Sequence, residues 1–319
     1  MLKFGGAADP DAHPKTPHRV YATVHHDYEV SPAPDDMAAE QSINASWAIR
    51  EAVVVLSAAG VASPRVDAEI LTAHVLGMSR SKLPLAPALD PTQAARLRDL
   101  VDARARRVPL QHLTGVAGFH HIEVAVGPGV FVPRPETELL VEWGLSVFED
   151  GEGTVVDLCS GSGAIALAVA AARPAARVYA VERDPAALEW LRRNAAGSGV
   201  QVVAGEVTDP GLLADLDGAV DLVLCNPPYV PAGTPVPPEV ARFDPYPAVF
   251  SGADGLDLIR GLVPRVARLL RPGGWFGVEH DDTHGEAVPG LLRADGRFGE
   301  IADHRDLAGR PRFATAQRR

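Results

Sequence analysis

Val155-Val156-Asp157-Leu158-Cys159-Ser160-Gly161-Ser162-Gly163 decides the fold. A short apolar run ends in a carboxylate, and glycines follow where a helix is expected to begin. Glycine lacks a Cβ, so the backbone there can approach a ligand closely, and the first N–H groups of the following helix point at what binds. The pattern then recurs downstream. Val178 to Val181 leads into a helix capped by Asp184-Pro185, and Val200 to Ala204 and Val220 to Leu224 read as further strands. Apolar strands alternating with helices build a parallel, doubly wound sheet with right-handed crossovers. Such sheets bind ligands beyond the carboxyl ends of their strands. Gly274 to Val278 and two strand-like runs around Ile301 and Phe313 complete the sheet, the last two as a hairpin.

Upstream the period changes. From Trp47, the residues Ile49, Ala52, Val53 and Leu56 share one helical face, and Gly60 is placed to end the helix. Ser63-Pro64 opens a second helix with Val66, Ile70 and Ala73 as its apolar face before Gly77. Asp90-Pro91-Thr92-Gln93 has capping-box spacing and starts a third through Leu97, Leu100 and Val101. Phe119 to Val132 reads as a hairpin around Gly127-Pro128-Gly129. Before all this, residues 1–43 carry Pro10, Pro14, Pro17, Pro32 and Pro34 without a hydrophobic period and read as a disordered extension. Its His13, His18, His25 and His26 are spread out and read as solvated, and Met37 is a candidate natural start. The expected organisation is an extension over 1–43, a helical domain over 44–115, a linker hairpin over 116–138 and the α/β domain over 139–319.

With 319 residues the chain can bury a sizeable core. A formal net charge of −11 argues against direct binding of nucleic acid, which needs a surplus of Lys and Arg. Two cysteines, no signal-peptide pattern and no apolar run of membrane length leave the cytoplasm as the expected place.

The chemistry concentrates at strand ends. Gly161, Gly163 and Ala166 satisfy a dinucleotide pattern, which keeps an NAD enzyme open. Glu182, 19 residues past Gly163, ends the second strand, where a carboxylate can accept bonds from ribose hydroxyls. That favours an adenosyl cofactor of either kind. Asn226-Pro227-Pro228-Tyr229, after the strand ending in Cys225, separates the two. An amide nitrogen is a poor nucleophile and must be held in line with the methyl of a sulfonium. The Asn226 side-chain oxygen and the Pro227 carbonyl would accept the two N–H bonds of a target amide, the prolines would fix φ, and Tyr229 would supply an aromatic wall. Glu279-His280-Asp281-Asp282-Thr283-His284 has metal-ligand residue types but reads as a sheet-edge segment, with no metal expected. Cys159 and Cys225 end adjacent strands and read as free thiols, and Glu136 and Glu138 read as anchoring the linker and lining the cofactor cleft rather than as bases.

On these residues the chain resembles the release-factor glutamine methyltransferases called PrmC or HemK. Asn226 to Tyr229 alone is shared with amino methyltransferases acting on DNA or RNA bases. Pro109 to Gly115 with Phe119, Phe131 to Glu138, and Asp306 to Arg310 are similar to the narrower family's own signatures, and the likeness runs from about residue 45 to 316. The resemblance implies an α/β fold, a doubly wound Rossmann-like methyltransferase sheet with a small all-helical N-terminal domain that presents the substrate. It implies S-adenosylmethionine as cofactor and methylation of a glutamine amide, in a Gly-Gly-Gln motif, of class I peptide chain release factors, by a monomer without membrane attachment. Carried over residue by residue, Asn226, Pro227 and Tyr229 are catalytic, and Phe119 and Pro228 join them in binding substrate. Asp157, Ser160, Gly161, Gly163, Glu182, Glu206, Arg134 and Thr137, with Asn226, border the cofactor. Cys159 stands where glycine is common and Glu206 where aspartate often contacts the adenine side. The rival readings are a DNA or RNA amino methyltransferase and a binding module that keeps the fold without turnover.

Overall fold

In a computed structural model that describes residues 42–149 and 151–319, the alternation read above becomes one sheet. The expectations for the proline-rich extension, its histidines and Met37 fall outside the described residues, except that Ile43 pairs with Leu89 in an antiparallel bridge.

Asn44 caps α1 (Ala45–Ala58), its side chain accepting from the Ser46 and Trp47 N–H groups. Pro64 opens α2 (Pro64–Leu76), which ends on left-handed Gly77. The capping box expected at Asp90 and Gln93 is present at α3 (Pro91–Ala105), with both reciprocal bonds made. Leu56, Ala68, Leu71, Val75, Leu97 and Val101 form the helical core. The face read for α2 is corrected in part: Ala73 is buried as read and Ile70 is half-buried, but Val66 is exposed, and Asp67, Ala68, Leu71 and Val75 also turn inward. Asp67 tolerates burial because the Arg104 Nε donates to it at 2.7 Å; a periodicity count treats a carboxylate as surface and so misplaces the stripe.

After α4 (Leu110–Thr114) the hairpin also differs from the reading. β1 (Val116–Phe119) pairs with β2 (Ile122–Ala125) around His120-His121, with His120 at φ 53°. Gly127 serves another purpose, since a Cβ there would lie 2.5 Å from the Trp190 ring. Close approach of the linker, not a hairpin turn, needs glycine at this position.

The sheet follows: α5 (Thr137–Val147), β3 (Thr154–Leu158), α6 (Ala164–Ala172), β4 (Arg177–Glu182), α7 (Pro185–Ala195), β5 (Gln201–Ala204) and β6 (Val220–Cys225). Two short helices, α8 (Pro238–Phe243) and α9 (Tyr246–Val249), precede α10 (Asp257–Leu269), β7 (Leu270–Glu279), α11 (Ala287–Asp295), β8 (Phe298–Arg305) and β9 (Pro311–Arg318). Among the described residues the large sheet runs β5-β4-β3-β6-β7-β9-β8, parallel until β9 and β8 add antiparallel strands as the expected hairpin. Helices cover both faces: Val155, Val178 and Leu222 pack with α5, α6 and α7, while Val156, Leu158 and Val223 pack with α10 and α11. That explains why β3 is buried at every position, as a central parallel strand must be. Strand order reverses between β3 and β6, the switch point where ligands bind in such sheets. No described helix is long and apolar enough to cross a membrane.

Candidate active site

At that switch point the loops after β3, β4, β5 and β6 enclose one cleft, lined by Ser160 and Gly161, Glu182, Glu206, and Asn226 to Tyr229. Phe119 from β1 and Thr137 from the start of α5 also line it. Most residues selected from the sequence thus converge although they are spread over more than a hundred positions. Three do not reach the wall. Asp157 lies wholly buried beneath the loop, its Oδ2 accepting from the Ala166 N–H at 3.2 Å. Burial pushes its carboxyl up to about 8, the Ser160 and Ala166 bonds only partly opposing. Gly163 caps α6 at φ 87°, where a Cβ would collide with Leu191. Arg134 turns to Asp244, donating at 2.6 Å, and stacks over Phe131.

The glycine loop is tied to the β4 edge by one carboxylate. Glu182 Oε2 accepts from Gly161 N–H at 2.9 Å, and Oε1 accepts from Arg183 and Asp184 N–H at 2.8 Å each. A carboxylate has about four lone-pair directions, so roughly one remains for an incoming hydroxyl. Gly161 has left-handed φ of 54°, and no atom lies within 4 Å of where its Cβ would stand. Beside it Glu206 is paired with Arg183 at 2.6 Å, which holds its carboxyl below the ordinary range despite the opposing effect of burial.

Across the cleft, Pro227 and Pro228 are buried and the chain beyond Tyr229 is pinned by a parallel bridge from Val230 to Phe250. Asn226 Nδ2 donates to Thr137 Oγ1 at 3.0 Å. Thr137 Oγ1 donates in turn to Glu279 Oε2 at 2.7 Å, and Tyr229 Oη donates to Glu279 Oε1 at 2.8 Å. Burial pushes the Glu279 carboxyl upward, opposed by these two hydroxyls and by the Arg312 charge. Burial also raises the Tyr229 phenol, with the Glu279 charge adding to it.

Family comparison agrees with this geometry. The model for "PrmC N-terminal domain" matches residues 48–115, and that for "Methyltransferase small domain" matches residues 122–240. A release factor glutamine methyltransferase of Mycolicibacterium smegmatis is 53% identical, covering 85% of this chain and 96% of the relative. Proteins of the same name from Mycobacterium tuberculosis and Streptomyces coelicolor are 47% and 49% identical, each over 85% of this chain and 90% and 96% of their own lengths. The chain belongs to the release factor glutamine methyltransferase family.

As a member of that family the chain is a methyltransferase, and the NAD reading and the non-catalytic reading are set aside. Two site features were not found from the sequence. Glu279 was read only within a metal-like run, yet that run points in two directions: Glu279 toward Thr137 and Tyr229, His280 away to Asp303 at 2.9 Å. A charged residue ending an otherwise apolar strand, Trp275 to Glu279, was the available signal. The second is an ion cluster outside the cleft lining, where Glu239 of α8 accepts from Arg104 at 2.9 Å and from Arg107 at 2.7 and 2.8 Å. Nothing local marks it, because its members are 132 and 135 positions apart. Cys159 and Cys225 are free and adjacent, Cys225 standing level with Leu158 across β3 and β6. Burial, then the Cys159 hydrogen bond, pushes the Cys225 thiol up.

Proposed function

We propose that this chain methylates the side-chain amide nitrogen of the glutamine in the Gly-Gly-Gln motif of class I release factors, with S-adenosylmethionine as donor. The observation that carries the reading is the placement of Asn226-Pro227-Pro228-Tyr229 in the same cleft as the glycine loop and Glu182. The residues present fit that donor. Gly161 leaves open space at the loop, Glu182 keeps one direction for a ribose hydroxyl, and Glu206 stands on the side expected for the adenine. When bound, the donor supplies a methyl already activated on a sulfonium.

The rest of the work is orientation. Asn226 Oδ1 and the Pro227 carbonyl accept the two amide N–H bonds, which turns the nitrogen lone pair toward the methyl and stabilises charge developing on nitrogen. As the N–C bond forms and the S–C bond breaks, the nitrogen becomes cationic and then releases one proton to water. Phe119 and Tyr229 flank the glutamine. Residues 44–115 present the release factor, residues 116–138 connect the two parts, and the enzyme acts in the cytoplasm as a monomer.

Labelled donor mixed separately with release factor, DNA and RNA tests the substrate class, and mass spectrometry of the Gly-Gly-Gln peptide locates the methyl. Asn226→Ala should lower turnover by roughly a hundredfold to a thousandfold while donor affinity changes little. Label transferred to nucleic acid alone, or near-normal turnover by Asn226→Ala, refutes the reading.

A further inference from the structure

We infer that Glu279 is a positioning residue for methyl transfer: through Thr137 it dictates which end of the Asn226 amide faces the substrate. The inference rests on the proposed role of Asn226 as acceptor for the glutamine N–H groups.

The argument is one of hydrogen-bond direction. Both hydroxyls that meet Glu279 donate to it, so its two oxygens act as acceptors. Glu279 is 1% exposed, and its two oxygens are separately engaged, Oε1 by Tyr229 and Oε2 by Thr137. The Thr137 hydroxyl has a single proton, and it is committed to Glu279 at 2.7 Å. Toward Asn226, 3.0 Å away, Thr137 Oγ1 therefore presents only lone pairs. The Asn226 group facing it must be the NH₂, so Oδ1 is left on the other side of the amide plane as the free acceptor. Were Glu279 a donor, Thr137 could turn its proton toward Asn226 and the amide would be as stable reversed. A reversed Asn226 would meet the target NH₂ with its own NH₂, two donors facing each other.

The same side chain fixes the Tyr229 ring by accepting from its hydroxyl, so both ends of the Asn226 to Tyr229 loop are held by one buried carboxyl group. Glu279 lies at the end of β7, the neighbour of β6, and Thr137 at the first turn of α5. Both supports stand on regular elements rather than on the loop they orient.

The test uses the full chain with release factor as substrate and reads kcat, KM for the protein substrate and donor affinity. Glu279→Gln and Thr137→Val should each lower kcat by about tenfold to a hundredfold, as expected when a reacting group is misplaced, and Glu279→Gln, which lies outside the cleft lining, should change donor affinity less than about threefold. Thr137→Ser, which keeps the hydroxyl, should recover most of what Thr137→Val loses. In an Asn226→Ala background, Glu279→Gln and Thr137→Val should add little, because the residue they act through is gone. Equal losses in both backgrounds, or no rescue by Thr137→Ser, would make the two residues merely structural and overturn the inference. Wild-type kcat in both variants overturns it as well. If Glu279→Gln does not fold, the Thr137 pair carries the same comparison. Failure of the underlying reading is separable: Asn226→Ala alone would then keep its turnover.

Discussion

Glu239→Gln should destabilise the protein at neutral pH and cease to matter in acid. Glu239 accepts from Arg104 and Arg107, whose side chains are 9% and 18% exposed, and Arg104 is itself buried against Asp67. Burial disfavours the charge on Glu239, yet the Arg107 bonds, its own backbone and the Arg104 bond outweigh it and hold the carboxyl at about 2 against an ordinary 4.5. At about 1.36 kcal/mol per pKa unit, that difference is worth about 3.4 kcal/mol once the group is ionised in both states. The Glu239 side chain is 17% exposed, so screening by water lowers the expected value to about 2 kcal/mol. Arg104 keeps Asp67 and the Val108 carbonyl as partners, which limits the cost of the lost charge. Because the folded value is depressed, the stabilisation is whole above pH 4.5 and fades as pH falls toward 2. Urea unfolding of wild type and Glu239→Gln at pH 7.5, 4.5 and 3 should show a gap of about 2 kcal/mol that has lost more than half its size at the lowest pH. A gap under about 0.5 kcal/mol at pH 7.5, or one independent of pH, would show that the cluster contributes no more than an ordinary surface pair.

Glu182→Ala removes the carboxylate that accepts from three backbone N–H groups at the loop as well as the site for a hydroxyl, and titration calorimetry should show S-adenosylmethionine binding weakened by about tenfold or more; unchanged affinity would move the donor elsewhere. Asp157→Asn should gain stability relative to wild type as pH rises from 5 to 8, since the folded carboxyl is pushed up to about 8 and wild-type stability is fullest below the ordinary 3.8. Thermal melts that track one another across that range would contradict it. Gly255→Ala should cost about 1–3 kcal/mol and lower turnover, because φ is 78° and the new Cβ would stand 2.2 Å from the Tyr229 carbonyl oxygen. An alanine variant with normal melting temperature and rate would show that the loop after Tyr229 adapts freely.

What the sequence determined by itself follows from local rules. Strand alternation, the Asp90–Gln93 capping box, the helix end at Gly77, the helix start at Gly163 and the terminal hairpin all depend on residues within a few positions of one another, and they appear where they were read. The resemblance carried by Asn226 to Tyr229, Pro109 to Gly115 and Phe131 to Glu138 named the family before any geometry was available. Tertiary structure decided what depends on partners far along the chain. Asp67 turns inward only because Arg104 meets it, which rotates the buried face of α2. Gly127 is needed for the approach of Trp190 rather than for a turn, so the hairpin closes at His120-His121. The helices α5 and α10 went unread, the first being the element that brings Thr137 to Asn226. Glu279 and Asn226 are linked through Thr137 only once β6, β7 and α5 are side by side, and no spacing in the chain encodes that. Periodicity tells which face of an element is apolar; which buried charge finds which donor depends on packing between elements, where a single ion pair can outweigh the local pattern.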